Sequence, residues 1–324
     1  MSARWGIVAT VLAPAETILR FAAYHLDLGA HRVFVYLDAP NPMAEAALKA
    51  HPKCRVTVCD DTYWAKRKGG KPAKHQVRQT FNATRTYARQ KDLEWLAHID
   101  VDEFIVPRTG SVSDMLDALP ATIQTLRVRP MELLAGGDGT AFKAFVPAGP
   151  DRRARVARMY PTFGDHLKGG FLSHVAGKIF VRRGLSNPSL RIHNVFAGDA
   201  MNPGEAETQD VDLAHLHAID WDTWRAHFTY RHAKGSYRPD IPPAHKPETG
   251  TLPIHQLFDA LMADAGEDGL RAFYDEVIAD SPILREKLLK DSLLKRADLD
   301  LDLKFHQYFP KFVGQIPQLL TDKR

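Results

Sequence analysis

In the first hundred residues short apolar runs alternate with helical stripes, and this alternation limits the fold more than any other feature. Trp5 to Leu12 reads as a strand, and after Pro14 the residues Ile18, Leu19, Ala22 and Leu26 recur at helical spacing up to Gly29. Arg32 to Leu37 is apolar at nearly every position, which suits a strand covered on both faces. Pro42 to Ala50 then reads as helix, Arg55 to Cys59 as strand, Lys74 to Arg89 as helix and Glu94 to Ile99 as strand. The βαβαβαβ order predicts an α/β fold with a mostly parallel sheet flanked by helices. In such sheets ligands sit beyond the carboxyl ends of the strands.

Two acidic features fall at those ends. Asp38 follows the second strand, and Asp100-Val101-Asp102-Glu103 follows the fourth, ahead of the apolar Phe104-Ile105-Val106. In an extended segment Asp100 and Asp102 point to one side and Val101 to the other. Two carboxylates held together without a counter-ion repel and raise one another's pKa, so Mn²⁺ or Mg²⁺ is the expected neutraliser. An acidic surface turn is the plainer alternative.

Composition fits an ordinary enzyme-sized chain. With 324 residues, 44% hydrophobic and 25% charged, it can bury one large core plus a smaller appendage. A formal charge of +4 requires no nucleic-acid partner. The cluster Lys66-Arg67-Lys68 with Lys71 and Lys74 is broken by Gly69-Gly70 and Pro72, as a solvated loop would be. Cys54 and Cys59 flank a strand at odd separation, so they leave opposite faces and cannot pair, and no zinc spacing exists. Cysteines so scarce fit a reducing compartment. Arg4, the run Trp5–Leu12 and Ala13-Pro14-Ala15 sketch a signal peptide, but the run is short, contains Gly6 and Thr10, and serves better as a first strand. No run approaches membrane-spanning length, and the expected location is cytoplasmic.

Several segments together resemble a GT-A glycosyltransferase of the family 2 type, close to the group related to family 92. They are Phe21-Ala22-Ala23-Tyr24-His25-Leu26-Asp27-Leu28-Gly29-Ala30, Tyr36-Leu37-Asp38, the helix bearing Gln79 and Asn82, and most specifically Trp95-Leu96-Ala97-His98-Ile99-Asp100-Val101-Asp102-Glu103-Phe104. Gly177-Lys178, Ile192-His193-Asn194 and the segment from His215 to Lys234-Gly235 are similar to weaker motifs of that group, extending the likeness to about residue 240. Two positions depart from the pattern. Leu12-Ala13-Pro14 stands where many relatives have Lys-Asn-Glu, and Leu216 where an aromatic is usual.

The resemblance implies transfer of a sugar from a UDP- or GDP-linked donor to a hydroxyl of a carbohydrate, glycolipid or protein acceptor, with inversion at the anomeric carbon. Asp100 and Asp102 would hold the metal against the donor diphosphate, with His215 as the third ligand and His217 or His193 as alternatives. Thr10, Asp38, Gln79, Asn82, Asp100 and Lys178 would line the nucleotide side. Glu132, after the strand-like Thr125 to Pro130, is the leading candidate for the general base, and Asp165 the alternative. On their helix Gln79, Asn82 and Thr86 form a polar line beside a Val77, Phe81, Ala88 face, which solvation alone would also explain.

Other function classes are open. A phosphatase or phosphotransferase of the haloacid-dehalogenase type also places Asp-x-Asp after a strand, but wants a threonine soon after, and Glu103-Phe104-Ile105 supplies none. A non-catalytic nucleotide- or sugar-binding relative is the other reading. Beyond Pro239, the cluster Pro242, Pro243, Pro247 and Gly250 marks a linker, placing a domain at 1–240 and a helical appendage at 241–324. There Leu257, Leu261 and Met262 form one stripe, and Leu284, Leu288, Leu289, Leu293 and Leu294 another. The tail Lys304 to Phe312 mixes aromatics with lysines. Docking in an apolar groove is its first reading, and peripheral contact with the inner face of a membrane its second.

Overall fold

The computed structural model describes residues 2–245 and 250–314; Pro247 of the expected linker lies outside them. The chain opens β1 (Trp5–Val11), α1 (Ala15–Asp27), β2 (Arg32–Leu37), α2 (Pro42–Ala50), β3 (Cys54–Val58), α3 (Asp61–Ala65), α4 (His75–Arg89) and β4 (Trp95–His98). It continues β5 (Glu103–Pro107), α5 (Val112–Asp117), β6 (Thr125–Leu133), β7 (Ala141–Ala144), α6 (Arg152–Met159), β8 (Lys178–Arg182), β9 (Pro188–Leu190), β10 (Val195–Ala197), β11 (Ala200–Met201) and β12 (Glu205–His215). Last come α7 (Trp221–Ala233), α8 (Ile254–Val277), α9 (Pro282–Lys290), β13 (Leu294–Arg296) and α10 (Leu301–Tyr308).

Contacts divide these elements into two compact units. One holds the chain up to Arg129, Gly177–Leu213 and the segment from Leu299; the other holds Pro130–Ala176 and Ala214–Asp298. In the first, β3, β2, β1 and β4 lie side by side and parallel, the α/β arrangement expected of a GT-A-like fold. Then β8 joins β4 antiparallel and β6 joins β8 antiparallel. All seven residues of β1 are buried, because a central parallel strand is covered on both faces. Gly6 is obligatory there: a Cβ would stand 2.8 Å from the Arg32 carbonyl oxygen of β2 and 2.7 Å from Leu93 Cδ1. Local signals set the helix starts as well, with Asn41 capping α2 ahead of Pro42.

The sheet order makes β1 the turning point. Its neighbours are β2 on one side and β4 on the other, so the helical connections diverge there, the switch point at which such sheets bind ligands. Leu12, Asp38 and Asp100 follow the carboxyl ends of β1, β2 and β4.

The second unit is built on β7, which pairs antiparallel with the end of β6 and with β13. Its core gathers Val156, Met159, Tyr160, Trp224, Tyr237, Phe258, Phe273 and Leu288. Helices α8 and α9 therefore complete this core, and the division by contacts does not follow a boundary at residue 240. The expected stripes are corrected in detail. Gly266, at φ +58, interrupts α8, Met262 and Leu289 are exposed, and Leu294 belongs to a strand. The tail returns to the first unit as α10. Arg20 on α1 donates to Asp302 at 2.6 Å, and Phe305 and Phe309 are buried, in keeping with docking of the tail. Cys54 and Cys59 are both buried free thiols. Among the described residues no helix is long and apolar enough to cross a membrane.

Candidate functional site

In the first unit the acidic tetrad is a turn. β4 ends at His98, and the Glu103 N–H donates to the Asp100 carbonyl at 3.2 Å, so Asp100-Val101-Asp102 is not extended and the same-side argument from strand geometry does not apply. The side chain of Glu103 closes the turn from the other direction by accepting the Asp100 N–H at 2.9 Å.

The charges of this turn have a counter-ion inside the protein. Lys178, 2% exposed at the start of β8, donates to Asp100 Oδ2 at 2.6 Å and lies 3.0 Å from Glu103 Oε2. Gln79 of α4 donates to Asp100 Oδ1 at 2.7 Å. Burial alone would raise the Asp100 pKa, but the Lys178 ammonium overrides it and holds the carboxyl well below the usual range. Lys178 moves the opposite way: burial lowers its pKa, and the two carboxylates more than compensate. A lysine expected beside a phosphate is thus anchored on the motif. Its delivery depends on Gly177, at φ +67, where a Cβ would fall 2.0 Å from the Val128 carbonyl oxygen. His193 donates from Nδ1 to the Gly177 carbonyl at 2.9 Å and so braces the same passage.

Of the three carboxylates of this turn, Asp100 and Glu103 share the Lys178 ammonium. The donor set is all oxygen, as Mn²⁺ and Mg²⁺ prefer. Both oxygens of Asp100 already accept protein hydrogen bonds, and a cation placed on Oδ2 would face the ammonium.

Asp38 is also paired. Arg78 of α4 grips it from Nε at 2.9 Å and from Nη2 at 2.6 Å, and His75 Nδ1 stands 3.7 Å away. Burial raises the Asp38 pKa, while the hydrogen bonds from His75 and Arg78 bring it below the usual value. Neither partner was singled out from the sequence. Their signal was there, since His75 and Arg78 are three apart on the helix whose face carries Gln79.

The polar line on α4 faces inward. Gln79, Asn82 and Thr86 are buried, and Val77 is 42% exposed, the reverse of a solvated polar face. Asn82 donates to Thr10 Oγ1 at 3.0 Å and accepts from the Tyr63 hydroxyl at 2.6 Å. Thr86 donates to the Asn82 carbonyl and accepts from Tyr36. Thr10 and Asn82 therefore clamp α4 to β1, and their polar atoms are satisfied by protein groups. Two further histidines, His25 and His98, are buried and neutral. Burial lowers the pKa of His25 to about 3 and of His98 to about 4.

The second unit holds the remaining candidates. Glu132 lies within β6, 3% exposed, with its oxygens accepting the N–H groups of Ser173 at 2.6 Å and Leu172 at 3.3 Å. Lys143 Nζ stands 3.5 Å from it and donates to the carbonyls of Val277 at 2.7 Å and Gly170 at 3.1 Å. This is the geometry of a carboxylate that fixes a loop, and it does not favour Glu132 as a general base. Asp165 forms an exposed bidentate pair with Arg153, at 2.9 and 2.8 Å, which occupies both its oxygens. His215 Nδ1 lies 3.2 Å from Ser173 Oγ. His217 Nε2 lies 2.6 Å from the Tyr237 hydroxyl, which accepts from the Trp224 indole at 3.0 Å. Burial first, then the Arg231 charge, lowers the His217 pKa and keeps the ring neutral.

No protein-family model matches the chain, and no curated protein matches it. Solved structures resemble it loosely. A mycobacterial protein shares 15% identity over 59% of this chain and 58% of its own, with a TM-score of 0.32. HddC from Yersinia pseudotuberculosis shares 10% identity over 71% of this chain and 100% of its own, with a TM-score of 0.37. The apo bifunctional glycosyltransferase WbbM shares 12% identity over 56% of this chain and 31% of its own, with a TM-score of 0.30. The matched regions thus span less than two thirds of the mycobacterial protein and of WbbM. Likeness of this order fixes neither a family nor a chemistry.

Proposed function

We propose that the chain is a metal-dependent glycosyltransferase that binds a nucleotide-diphosphate sugar, UDP- or GDP-linked, at the carboxyl ends of β1 and β4. The observation that carries this reading is the acidic turn after β4, which gathers three carboxylates and is held by Lys178 and Gln79 at the point where the sheet connections diverge. Asp102 would hold Mn²⁺ or Mg²⁺, and Asp100 would orient the turn. A bound ion supplies neutralisation of the charge that grows on a departing diphosphate. In the Asp38–Arg78–His75 cluster, His75 is the partly exposed member and would face the nucleoside portion.

The acceptor in this reading is a hydroxyl of a carbohydrate, glycolipid or protein, and the outcome inversion. Neither Glu132 nor Asp165 is offered as the base, because protein donors occupy both carboxylates. Calorimetric titration of UDP and GDP, with and without Mn²⁺, tests the proposal. Binding of one nucleotide that needs Mn²⁺ and is lost in Asp102→Ala is expected. His215→Ala in the same titration tests the third ligand that the sequence resemblance implies. A folded wild type that binds neither nucleotide would overturn the reading.

A further inference from the structure

The turn that leads into α6, in the second unit, borders a cavity of about 300 Å³, at the small end of the ~300–1,000 Å³ that ligand pockets span. Gly149 and the first two residues of α6, Arg152 and Arg153, line it together with Lys168, Gly169 and His245. None of the described residues that line it is acidic. Two carboxylates lie close by: Asp165, which is spent on Arg153, and Asp151, which is exposed beside Gly149.

The local chain builds this charge. The Gly149 carbonyl accepts the Arg152 N–H at 3.3 Å, and both arginines fall in the first turn of α6, where the helix N-terminus adds partial positive charge. Gly169, at φ +67, makes room for the Arg152 guanidinium, since a Cβ there would run into Nη2 and crowd the Val146 carbonyl oxygen. Arg152 Nε is buried without a hydrogen-bond partner among the described residues. Burial lowers the Arg152 pKa, and no carboxylate opposes it. His245 Nε2 is likewise buried and unpartnered. Burial, then the Arg153 charge, lowers the His245 pKa, so its ring is neutral and can donate or accept.

We propose that this cavity binds a phosphate monoester, with Arg152 as its anchor and Lys168 and Arg153 as flanking charges. A partly desolvated guanidinium without a counter-charge is costly, and its planar fork of donors matches phosphate oxygens two at a time. A phosphate monoester brings a charge of about −1.5 to −2 at pH 7 and three acceptor oxygens. A carboxylate would bring one charge and two oxygens, a poorer match to three cations. A cavity of this size also holds part of the small molecule that bears the phosphoryl group. The inference stands apart from the donor reading of the first unit.

The test is calorimetric titration of the full-length chain with inorganic phosphate at low salt and with EDTA present, alongside thermal unfolding. Wild type should bind one equivalent and gain melting temperature. Arg152→Met should weaken binding by at least ~10-fold, the worth of hydrogen bonds to a charged group. Its melting temperature without phosphate should be unchanged or raised, because a partly desolvated charge is gone. The exposed Lys168→Met should weaken binding by ~2–5-fold. Asp165→Asn releases Arg153 and should tighten it, a gain that a merely structural role of these residues would not produce. Asp102→Ala should bind phosphate as wild type does. Glucose 6-phosphate in solution or phosphatidic acid in vesicles should displace the probe, and which of them does so tells a soluble ligand from a lipid headgroup. Displacement by neither would mark an adventitious ion only. That result, no binding by wild type, or equal binding by Arg152→Met would overturn the proposal.

Discussion

Glu132→Gln and Lys143→Met, made singly and together, decide what the buried pair in the second unit does. Both side chains are 3% or less exposed, and between them they hold two N–H groups and two carbonyls of separate chain segments. Removing either partner strands a charge in the interior, which costs about 3–5 kcal/mol. An amide at 132 also turns an NH₂ group toward another donor. The double variant strands no charge, so its loss should fall short of the summed single losses by ~2–3 kcal/mol. Urea unfolding followed by the fluorescence of Trp221 and Trp224, both in this unit, measures all three. The pH dependence carries a second check. Burial lowers the Lys143 pKa against the opposing pull of Glu132, so the folded chain releases this proton at lower pH than the unfolded chain does. Between that lowered value and about 10.4 the unfolded state binds more protons, and the lysine's contribution to stability rises with pH. The stability of wild type minus that of Lys143→Met should therefore increase across this window. Single losses under ~1 kcal/mol, or additivity within ~0.5 kcal/mol, would refute the brace and return Glu132 to consideration as a base.

Three further outcomes follow from the first unit. Gly177→Ala should destabilise by at least ~2 kcal/mol, since it forces a Cβ against a backbone oxygen at positive φ, and an unchanged melting temperature would contradict that packing. Arg78→Met should cost about 2–4 kcal/mol at neutral pH by stripping Asp38 of its charged donor. Because the Asp38 pKa is depressed in the folded state, this stability is present above about pH 4 and lost as pH falls through the folded value, so a gap that stays flat from pH 7 to pH 3 would exclude the pairing. Phe305→Ala should cost ~3 kcal/mol if the tail is part of the folded unit, and a neutral result in thermal unfolding would show that it is not.

The parallel half of the fold was legible because each of its signals is local. Apolar runs of five to seven residues, a proline and an asparagine at helix starts and a glycine after α1 place β1 to β4 and their helices almost as they stand. What followed was less readable for a physical reason. β8 enters the sheet from 80 residues beyond β4, and β13 pairs with β7 across 150, so no window of sequence contains both partners. The helices after residue 252 misled for a related cause: their apolar stripes are real, but a stripe does not say which core it completes. Only contacts show that Phe258, Phe273 and Leu288 close the same cluster as Trp224.

The candidate site divides along the same line. The acidic tetrad stood out because its members are adjacent, and the need for a counter-ion followed from Coulomb repulsion. The identity of that counter-ion did not, because Lys178 is 78 positions away and a lysine that neutralises a carboxylate is the same letter as one that binds a phosphate. Burial separates the two roles. A phosphate-binding ammonium must reach an incoming ligand, whereas Lys178 is 2% exposed and is fixed at both carboxylates. The same logic applies to Asn82, whose amide is spent on Thr10 and Tyr63. On the proposed function, Asp102 is the residue on which metal dependence should turn, and Lys178→Met should loosen the turn without removing that carboxylate. A nucleotide affinity that falls in Asp102→Ala yet survives in part in Lys178→Met at raised Mn²⁺ would separate the ion's ligand from its scaffold.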